Sequence, residues 1–361
     1  MYIQMIRKNE ADGKKTAVMV LLSVIAIVIV LALIFLAIGV SPVTGLWKIV
    51  TTSFGSGYDF SETLVKTTPI IFTGLAVSCA LKMKLWNIGA EGQLFMGAFG
   101  AVWAEQAFSG LPGFLVIPLM MLSAMVCGGV FGAIAGVLKK TLNVNEILTT
   151  LMMNYVAISL VNYFIYGPWR DPENPGFPIT ARFAPAARLP QAFNTRLHLG
   201  FVFALVTAVI LWFVIDKTSW GYEIRAAGES TGGAKYAGIP VGRNILLVLL
   251  ISGAVAGLAG MCEVSGLHYK LQPGNISSNY GSLGIIVAWL SGAHSLAVVC
   301  TAFCAGILLI GTESLQITMG VSSDMVQIII GLLLISILVC KYFSMYRVSL
   351  RKGEGKEESH G

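Results

Sequence analysis

Charged side chains are scarce in this chain of 361 residues: Asp, Glu, Lys and Arg together make up 12% of it, about half the share of an average soluble domain. Hydrophobic residues make up 56%, and 40 glycines come in addition. A water-soluble fold cannot cover that much apolar surface with so few polar groups. The composition therefore excludes a soluble enzyme, a disordered chain and a disulfide-rich secreted domain, and it indicates a protein whose main solvent is lipid.

Sequence motifs for chemistry are missing as well. The chain has no GxxxxGK[ST] phosphate loop, so we do not expect it to hydrolyse ATP. Its six cysteines include no CxxC pair, and we interpret them as small apolar residues. His268 and His294 lack metal-ligand spacing to a second ligand, and no nucleophile, base and orienting group can be assembled. No dense basic run with interleaved aromatics marks a nucleic-acid site. We therefore expect no catalytic residue, no metal and no nucleic-acid partner.

Long apolar runs are what the chain has instead. Residues 17–40 are almost continuously apolar, which is long enough for a membrane-spanning helix and longer than the apolar part of a cleaved signal peptide. Nine further apolar segments follow, at residues 69–81, 94–108, 114–138, 147–166, 199–215, 245–264, 283–290, 296–310 and 325–339. Two of them, 69–81 and 283–290, are short for a crossing. The pattern predicts an all-α polytopic membrane protein with about ten transmembrane helices, or eight or nine if the short segments only enter the bilayer.

The positions of Lys and Arg predict the orientation. With the amino terminus in the cytoplasm, 17 of the 24 fall inside and 7 outside, which satisfies the positive-inside rule with both termini cytoplasmic. The expected organisation is a cytoplasmic tail (1–16), a first transmembrane helix (17–40), an external segment (41–66), a first transmembrane repeat (67–166), an external loop (167–198), a transmembrane helix (199–217), a cytoplasmic loop (218–244), a second transmembrane repeat (245–343) and a cytoplasmic tail (344–361).

One short motif occurs twice. Residues 87–92 (NIGAEG) and 279–284 (NYGSLG) share the form NxGxxG, and each leads into an apolar segment rich in small residues. In the expected topology the first copy faces the cytoplasm and the second faces outside, as in an inverted repeat. A chance match in so glycine-rich a sequence is the alternative. Glycine-interrupted segments in corresponding halves are the sequence features that mark a transport path.

Polar residues at helical spacing follow the first motif. Glu146, Thr149, Thr150 and Asn154 fall on one side of an otherwise apolar helix. Because polar groups in lipid are costly, this stripe should face the bundle interior or a wet cavity. We expect Glu146 at the cytoplasmic mouth, whereas Asn154 has the donor and acceptor to hydrogen-bond a cargo. Interhelical hydrogen bonding is the alternative.

Three further residues complete the candidate pathway. Glu91, the sole carboxylate of the first motif, either lines a gate or accepts hydrogen bonds from exposed amides of the broken segment, with Lys84 as its candidate partner. Trp289 stands apart from the other tryptophans, which mostly lie near predicted interfaces and serve there as anchors. The candidate translocation pathway comprises Asn87, Glu91, Glu146, Thr150, Asn154 and Trp289.

The long hydrophilic stretch inside, residues 217–243, alternates charged residues with Ala and Gly. This pattern predicts a short amphipathic helix exposed on the membrane face, with Ser230 as a cap. A solvated loop is the alternative, although loops of this length in a bundle usually carry a function.

This stretch also carries a family resemblance. Residues 221–229 (GYEIRAAGE) and 234–239 (AKYAGI) resemble the coupling loop of permeases in the ribose, branched-chain amino acid and nucleoside ABC importer family. Residues 87–93 (NIGAEGQ) resemble the motif of the nucleoside branch, and the outer segment from GPWRDP at 167 to RLP ending at 190 is similar to that branch's longer permease. The resemblance covers nearly the whole chain. Gly232 and Gly233 depart from the Pro or Ala usual in the coupling helix.

The resemblance implies the permease subunit of a type II importer, multi-pass in the bacterial cytoplasmic membrane, with nucleosides as cargo. It implies three protein partners: a second permease subunit in a heterodimer, a cytoplasmic ATPase that holds ATP and Mg, and an extracytoplasmic substrate-binding lipoprotein. No cofactor is expected in this chain. The implied ATPase-coupling residues are Gly221, Arg225, Gly228, Glu229, Ala234 and Gly238, of which Arg225 and Glu229 would make polar contacts with the ATPase. Permeases for ribose-like sugars or branched-chain amino acids are the alternative, followed by an ion-coupled secondary transporter.

Overall fold

The computed structural model describes residues 2–7, 41–174, 176–192, 194–274, 276–320 and 346–351, with scattered positions between 25 and 39 and between 322 and 332. The predicted first helix (17–40) and last apolar segment (325–339) fall largely outside these ranges. The described residues divide into two compact units, one drawn from Met1–Ile49 and Thr312–Gly361 and the other from Val50–Gly311.

Helices make up most of the described chain, as predicted. In chain order they are α1 (Pro42–Phe54), α2 (Gly57–Lys82), α3 (Ala90–Phe108), α4 (Gly113–Leu142), α5 (Glu146–Tyr166), α6 (Gly200–Lys217), α7 (Ser219–Glu229), α8 (Thr231–Tyr236), α9 (Val241–Glu263), α10 (Tyr280–Leu290) and α11 (Ser295–Met319), with a π-helical turn (Val264–His268) after α9 and a 3-10 turn (Pro185–Ala187) before α6. Within the described ranges six helices are long and apolar enough to cross a membrane: α2, α4, α5, α6, α9 with its π turn, and α11.

Two short strands accompany the helices. Strands β1 (Tyr2–Arg7) and β2 (Tyr346–Arg351) pair antiparallel, with Tyr2 opposite Arg351 and Arg7 opposite Tyr346. Both strands belong to segments that the sequence analysis assigned to the terminal tails. They are an addition to the expected all-α class, and they bring the two tails side by side.

Helix α2 is longer than the apolar run that predicted it. It begins at Gly57, well before residue 69, and has 26 residues, so the expectation of a short segment is wrong. The hydroxyls of Thr63, Thr67 and Thr68 each donate to a backbone carbonyl oxygen one turn earlier, at 2.7–3.1 Å. These bonds let polar side chains enter a buried helix, which a count of apolar residues alone does not reveal. Helix α10, with 11 residues, is short, as predicted.

The outer loop expected at 167–198 lies across the far end of α9. Thr180 and Phe183 donate backbone hydrogen bonds to the carbonyl oxygens of Leu271 and Tyr269, at 3.1 and 2.8 Å. The backbone N–H of Leu189 donates to the carbonyl oxygen of Ser265 at 2.9 Å. The loop is therefore an ordered cover for this end of the bundle.

Helix α9 is packed against α3 and α4 with backbones in contact. A Cβ added at Gly257 would overlap the carbonyl oxygen of Ala124 in α4, and one at Gly97 in α3 would overlap the carbonyl oxygen of Gly257. A Cβ at Gly260 would overlap the carbonyl oxygen of Leu94. Small residues of this kind let membrane helices approach closely where no hydrophobic effect draws them together. The packing of three helices therefore depends on a few glycines of α9.

We expect Gly257→Val to destabilise the bundle by about 3 kcal/mol, because the added methyl groups force α9 away from α3 and α4. The thermal midpoint of the detergent-solubilised protein measures this effect. Gly57→Val is the matched control, since a Cβ there has nothing within 4 Å and its midpoint should stay close to that of the wild type. Equal midpoints for the two variants would contradict the packing described here.

Candidate translocation and coupling sites

A buried polar network surrounds Asn87, in the turn before α3. Its side-chain N–H groups donate to Gln93 Oε1 and to Ser252 Oγ, both at 2.8 Å, and its Oδ1 accepts from the Gly89 N–H at 3.0 Å. Ser252 Oγ in turn donates to the carbonyl oxygen of Ala76 at 2.6 Å. Only 1% of Asn87 is exposed. The network joins the turn to α2, α3 and α9. Asn87 therefore holds the turn in place against these helices.

The polar stripe of α5 contacts the same turn. Thr150 Oγ1 accepts from the Ile88 N–H at 3.1 Å. Asn154 Oδ1 accepts from the Gly92 N–H at 2.8 Å, and its Nδ2 donates to the Ile88 carbonyl oxygen at 2.9 Å. These bonds satisfy backbone groups that the break before α3 leaves without helical partners. For Thr150 and Asn154 the geometry favours the interhelical alternative over contact with a cargo.

Glu146 lies apart from this turn, at the first position of α5. Its Oε2 is 2.9 Å from Nζ of Lys139, in the last turn of α4. A carboxylate is favoured at a helix N-terminus and a cation at a helix C-terminus, so this ion pair suits both helices. Glu146 thus closes the turn between α4 and α5.

Glu91 joins the two NxGxxG motifs. Its Oε2 accepts from the N–H of Gly281, in the first turn of α10, at 2.6 Å. A Cβ at Gly281 would overlap the backbone of Glu91, so the two chain segments touch. Of the two alternatives for Glu91, the structure favours the one in which it accepts a hydrogen bond from a backbone amide. The amide belongs to the second motif and not to the broken segment beside Glu91. Lys84, the expected partner, pairs with Glu229 instead, at 3.0 Å.

The two motifs meet inside the bundle, which corrects the expectation that they face opposite sides of the membrane. The 11 residues of α10 span about 16 Å, roughly half the hydrocarbon thickness. His294, just beyond α10, has its Nε2 3.8 Å from Oδ2 of Asp216 at the end of α6. The junction of Glu91 and Gly281 is therefore about half a bilayer away from the end of the bundle that holds Asp216 and His294. Each motif follows a segment that folds back into the bundle.

Trp289 is half-buried near the other end of α10, about 12 Å along the helix axis from Gly281. The structure thus brings Asn87, Glu91, Thr150 and Asn154 together, and it leaves Glu146 and Trp289 outside this group.

Among the residues that the structure describes, no three His, Cys, Asp or Glu side chains are grouped so that they could hold a metal ion.

An apolar cavity of about 620 Å³ lies between α3, α4 and α5. Phe99, Trp103, Phe164 and Trp169 line much of it. The hydroxyl of Ser123, one of its few polar groups, already donates to the Gly100 carbonyl oxygen at 2.8 Å. A cargo with many hydrogen-bonding groups would lack partners there, so this cavity does not suit a nucleoside or a sugar.

The hydrophilic stretch forms two helices, α7 and α8. Thr218 Oγ1 caps α7 by accepting from the Gly221 N–H at 3.2 Å, and Ser230 Oγ caps α8 by accepting from the Gly233 N–H at 3.1 Å. The predicted amphipathic helix with a Ser230 cap is confirmed, and the cap begins the second helix.

Helix α7 lies directly on the backbone of two other helices. A Cβ at Gly221 would overlap the carbonyl oxygen of Ile215 in α6, and one at Gly228 would lie 2.7 Å from the carbonyl oxygen of Lys82 in α2. Larger side chains at either position would lift α7 away from the bundle. Gly221 and Gly228, two of the implied coupling residues, are therefore needed as glycines because the backbone of α7 lies against the backbones of α6 and α2.

Arg225 and Glu229 both have partners within the chain. Arg225 Nη1 donates to the Ile215 carbonyl oxygen and lies 3.6 Å from Oδ1 of Asp216. It binds α7 to the C-terminus of α6, where a cation is favoured. The side chains of the Glu229–Lys84 pair are 79% and 58% exposed, so that pair contributes little to stability.

The outer surface of α7 and α8 carries aromatic side chains that the sequence analysis did not select. Tyr222 is 65% exposed and Tyr236 is 99% exposed. Large aromatic residues in a hydrophilic loop are the signal that could have identified them, since such residues are enriched at protein interfaces. Ala234 is buried, and Gly238 ends this segment in the left-handed conformation, with φ +78°, which favours glycine.

We expect Asn154→Leu to lower the stability of the protein by about 2 kcal/mol, because the Gly92 N–H and the Ile88 carbonyl lose their partner. The thermal midpoint in detergent measures this loss. Asn162→Leu on the same helix is the matched control, since Oδ1 of Asn162 is buried with no hydrogen-bond partner among the described residues. A weaker cargo affinity with an unchanged midpoint would contradict the structural role and indicate contact with the cargo.

Comparison with known proteins identifies the family. Residues 59–338 match the family described as branched-chain amino acid transport system / permease component. The chain is 39% identical to the guanosine ABC transporter permease protein NupP of Bacillus subtilis, over 87% of this chain and 92% of that one. It is 32% identical to a glucose ABC transporter permease protein of Haloferax volcanii, over 91% and 89%. It is 29% identical to the nucleoside ABC transporter permease protein NupB of Lactococcus lactis, over 85% and 86%. The chain therefore belongs to the branched-chain amino acid transport system permease family, as a multi-pass membrane protein and permease subunit of an ABC transporter.

Proposed function

We propose that the chain is one of two permease subunits of an ABC importer that moves nucleosides into the cell. The observation that carries this proposal is the seating of α7. Its glycine face rests on the ends of α2 and α6, while Tyr222 and Tyr236 remain exposed on α7 and α8. A surface that is fixed to the bundle on one side and exposed on the other allows a separate ATPase subunit to bind it and move the helices.

The proposed topology has ten spans with both termini in the cytoplasm, and contacts at one end of the bundle support its orientation. Lys82, Asp216, Arg225 and His294 lie together at one end of the bundle, and the positive-inside rule assigns Lys82 and Arg225, and with them this end, to the cytoplasmic side. Segments assigned to the outside also contact one another, as in the Arg196–Glu62 ion pair at 3.2 Å. The pairing of β1 with β2 is consistent with terminal tails on one side.

Helix α5 is the surface that we assign to the second permease subunit, in a heterodimer. Of the six candidate spans its apolar window is the least buried. Thr150 and Asn154 bind the chain's own broken segment, and the opposite side exposes large apolar side chains such as Leu148, Met152 and Val156, which suits another helix. The translocation pathway would run along this interface.

Two further partners complete the importer. A separate cytoplasmic ATPase, with ATP and Mg on that subunit, would bind α7 and α8. An extracytoplasmic substrate-binding lipoprotein would deliver cargo to the outer cover that the 167–198 loop forms. No cofactor in this chain is part of the proposal.

The cargo proposal rests on the relatives and on one motif. The names of two relatives specify guanosine and nucleosides, and NIGAEGQ at 87–93 resembles the nucleoside branch. The glucose permease relative makes sugars the second candidate, and the name of the family makes branched-chain amino acids the third.

We expect the complete transporter in proteoliposomes to take up radiolabelled guanosine in the presence of ATP, with an excess of unlabelled nucleosides competing for uptake. Excess glucose, ribose or leucine should leave the guanosine uptake unchanged. Uptake of labelled glucose or leucine, without uptake of guanosine, would contradict the nucleoside proposal and leave the assignment as an ABC permease in place.

We expect the double variant Gly228→Val, Arg225→Ala to lower guanosine uptake at least about tenfold, while ATP hydrolysis by the assembled complex continues. The valine lifts α7 from α2, and the lost guanidinium frees α7 from α6. Parallel assays of uptake and phosphate release measure the two effects. Gly110→Val is the control, because a Cβ at Gly110 has nothing within 4 Å. Full uptake by the double variant would refute the coupling function of α7.

A further inference from the structure

Asp216, which the sequence analysis did not select, lies where four elements meet. Its Oδ1 is 3.6 Å from Nη1 of Arg225 in α7 and 3.8 Å from Nζ of Lys82 at the end of α2. Its Oδ2 is 3.8 Å from Nε2 of His294, in the turn between α10 and α11. One carboxylate at the end of α6 therefore contacts three basic side chains from three other elements.

Helix α7 is attached firmly on the Asp216 side. Arg225 donates to the Ile215 carbonyl oxygen in addition to facing Asp216, and Gly221 brings the two backbones into contact. A movement of α7 must therefore displace the end of α6, including the carboxylate of Asp216, or break these contacts.

His294 connects the same carboxylate to α10. This short helix begins at the junction where the Gly281 N–H donates to Glu91. At this same end it is held against α2, since Thr73 Oγ1 of α2 donates to the carbonyl oxygen of Tyr280, the first residue of α10, at 2.9 Å. A helix of 11 residues moves as one piece, so a displacement at His294 reaches the junction of the two motifs.

The contact between Asp216 and His294 is too exposed to matter chiefly for stability. The side chain of Asp216 is 24% exposed, and the side chain of His294 is 46% exposed. Ion pairs with such access to water contribute little to folding. Their distances nevertheless fix the relative positions of α2, α6, α7 and α10 at one point.

We propose, building on the coupling function proposed above, that Asp216 is the positioning residue through which a movement of α7 is transmitted to α10. The carboxylate is the essential group, because it faces Arg225 of α7 and the imidazole of His294 beside α10 at the same time. Asparagine at this position keeps the size of the side chain and loses the charge.

The test measures guanosine taken up per ATP hydrolysed by the complete transporter in proteoliposomes. Asp216→Asn should lower this ratio about tenfold in a complex that still assembles and hydrolyses ATP. Asp216→Glu keeps the charge and should recover most of the ratio. Asp59→Asn, the same chemical change at the half-buried Asp59 in the first turn of α2, should leave the ratio unchanged. An unchanged ratio in Asp216→Asn overturns the proposal.

The variant His294→Gln tests the contact between Asp216 and His294, through which the movement would reach α10. It should lower the same ratio by a similar factor, and the double variant Asp216→Asn, His294→Gln should be no worse than either single variant. Independent, multiplying losses would overturn the proposal, because they mean that the two side chains act separately. If Asp216→Asn fails to assemble, an unchanged ratio in His294→Gln overturns it.

The proposed function fails in a different way. A wild-type complex that takes up glucose or leucine instead of guanosine contradicts the cargo, and the ratio is then measured with the cargo that is transported. A wild-type complex whose uptake does not need ATP contradicts both proposals, because no work then passes from the motor to the helices.

Discussion

The break in the chain before α3 imposes the constraint on which the rest of the bundle depends. Inside a bilayer, a backbone N–H or C=O without a partner is costly, and a broken helix exposes several of them. Here the N–H groups of Ile88, Gly89 and Gly92 donate to side chains of Thr150, Asn87 and Asn154. Two of these acceptors lie on α5, so the broken segment is satisfied only when α5 is in place. Local irregularity and global packing therefore stabilise each other.

Close backbone contact is the second feature that the structure uses repeatedly. Gly257 allows α9 to touch α4 inside the bundle, and Gly221 allows α7 to touch α6 at its end. Helices in such contact leave little freedom for side chains to absorb a displacement. This property suits a permease, in which movement of an outer element has to reach helices near the bilayer centre.

The sequence predicted some elements well and others poorly, for identifiable reasons. Apolar runs located most of the long helices, and the cap at Ser230 was confirmed. The start of α2 was missed because Thr63 and Thr67 satisfy their hydroxyls within the helix. Lys84 was a reasonable partner for Glu91 by proximity in sequence, yet it binds Glu229. For Asn154 the sequence left two alternatives, and only its bonds to Ile88 and Gly92 separate them.

The sequence by itself determined the membrane-spanning class, the lack of an ATP-binding phosphate loop and the amphipathic character of α7, since each of these depends on composition or spacing within one segment. Only the tertiary structure decided that Glu91 meets Gly281, 190 residues away, and that Asp216 faces Lys82, Arg225 and His294. Such pairings depend on how separate helices pack and on where each one ends in the bilayer. The residue pattern of a single helix carries no information about either.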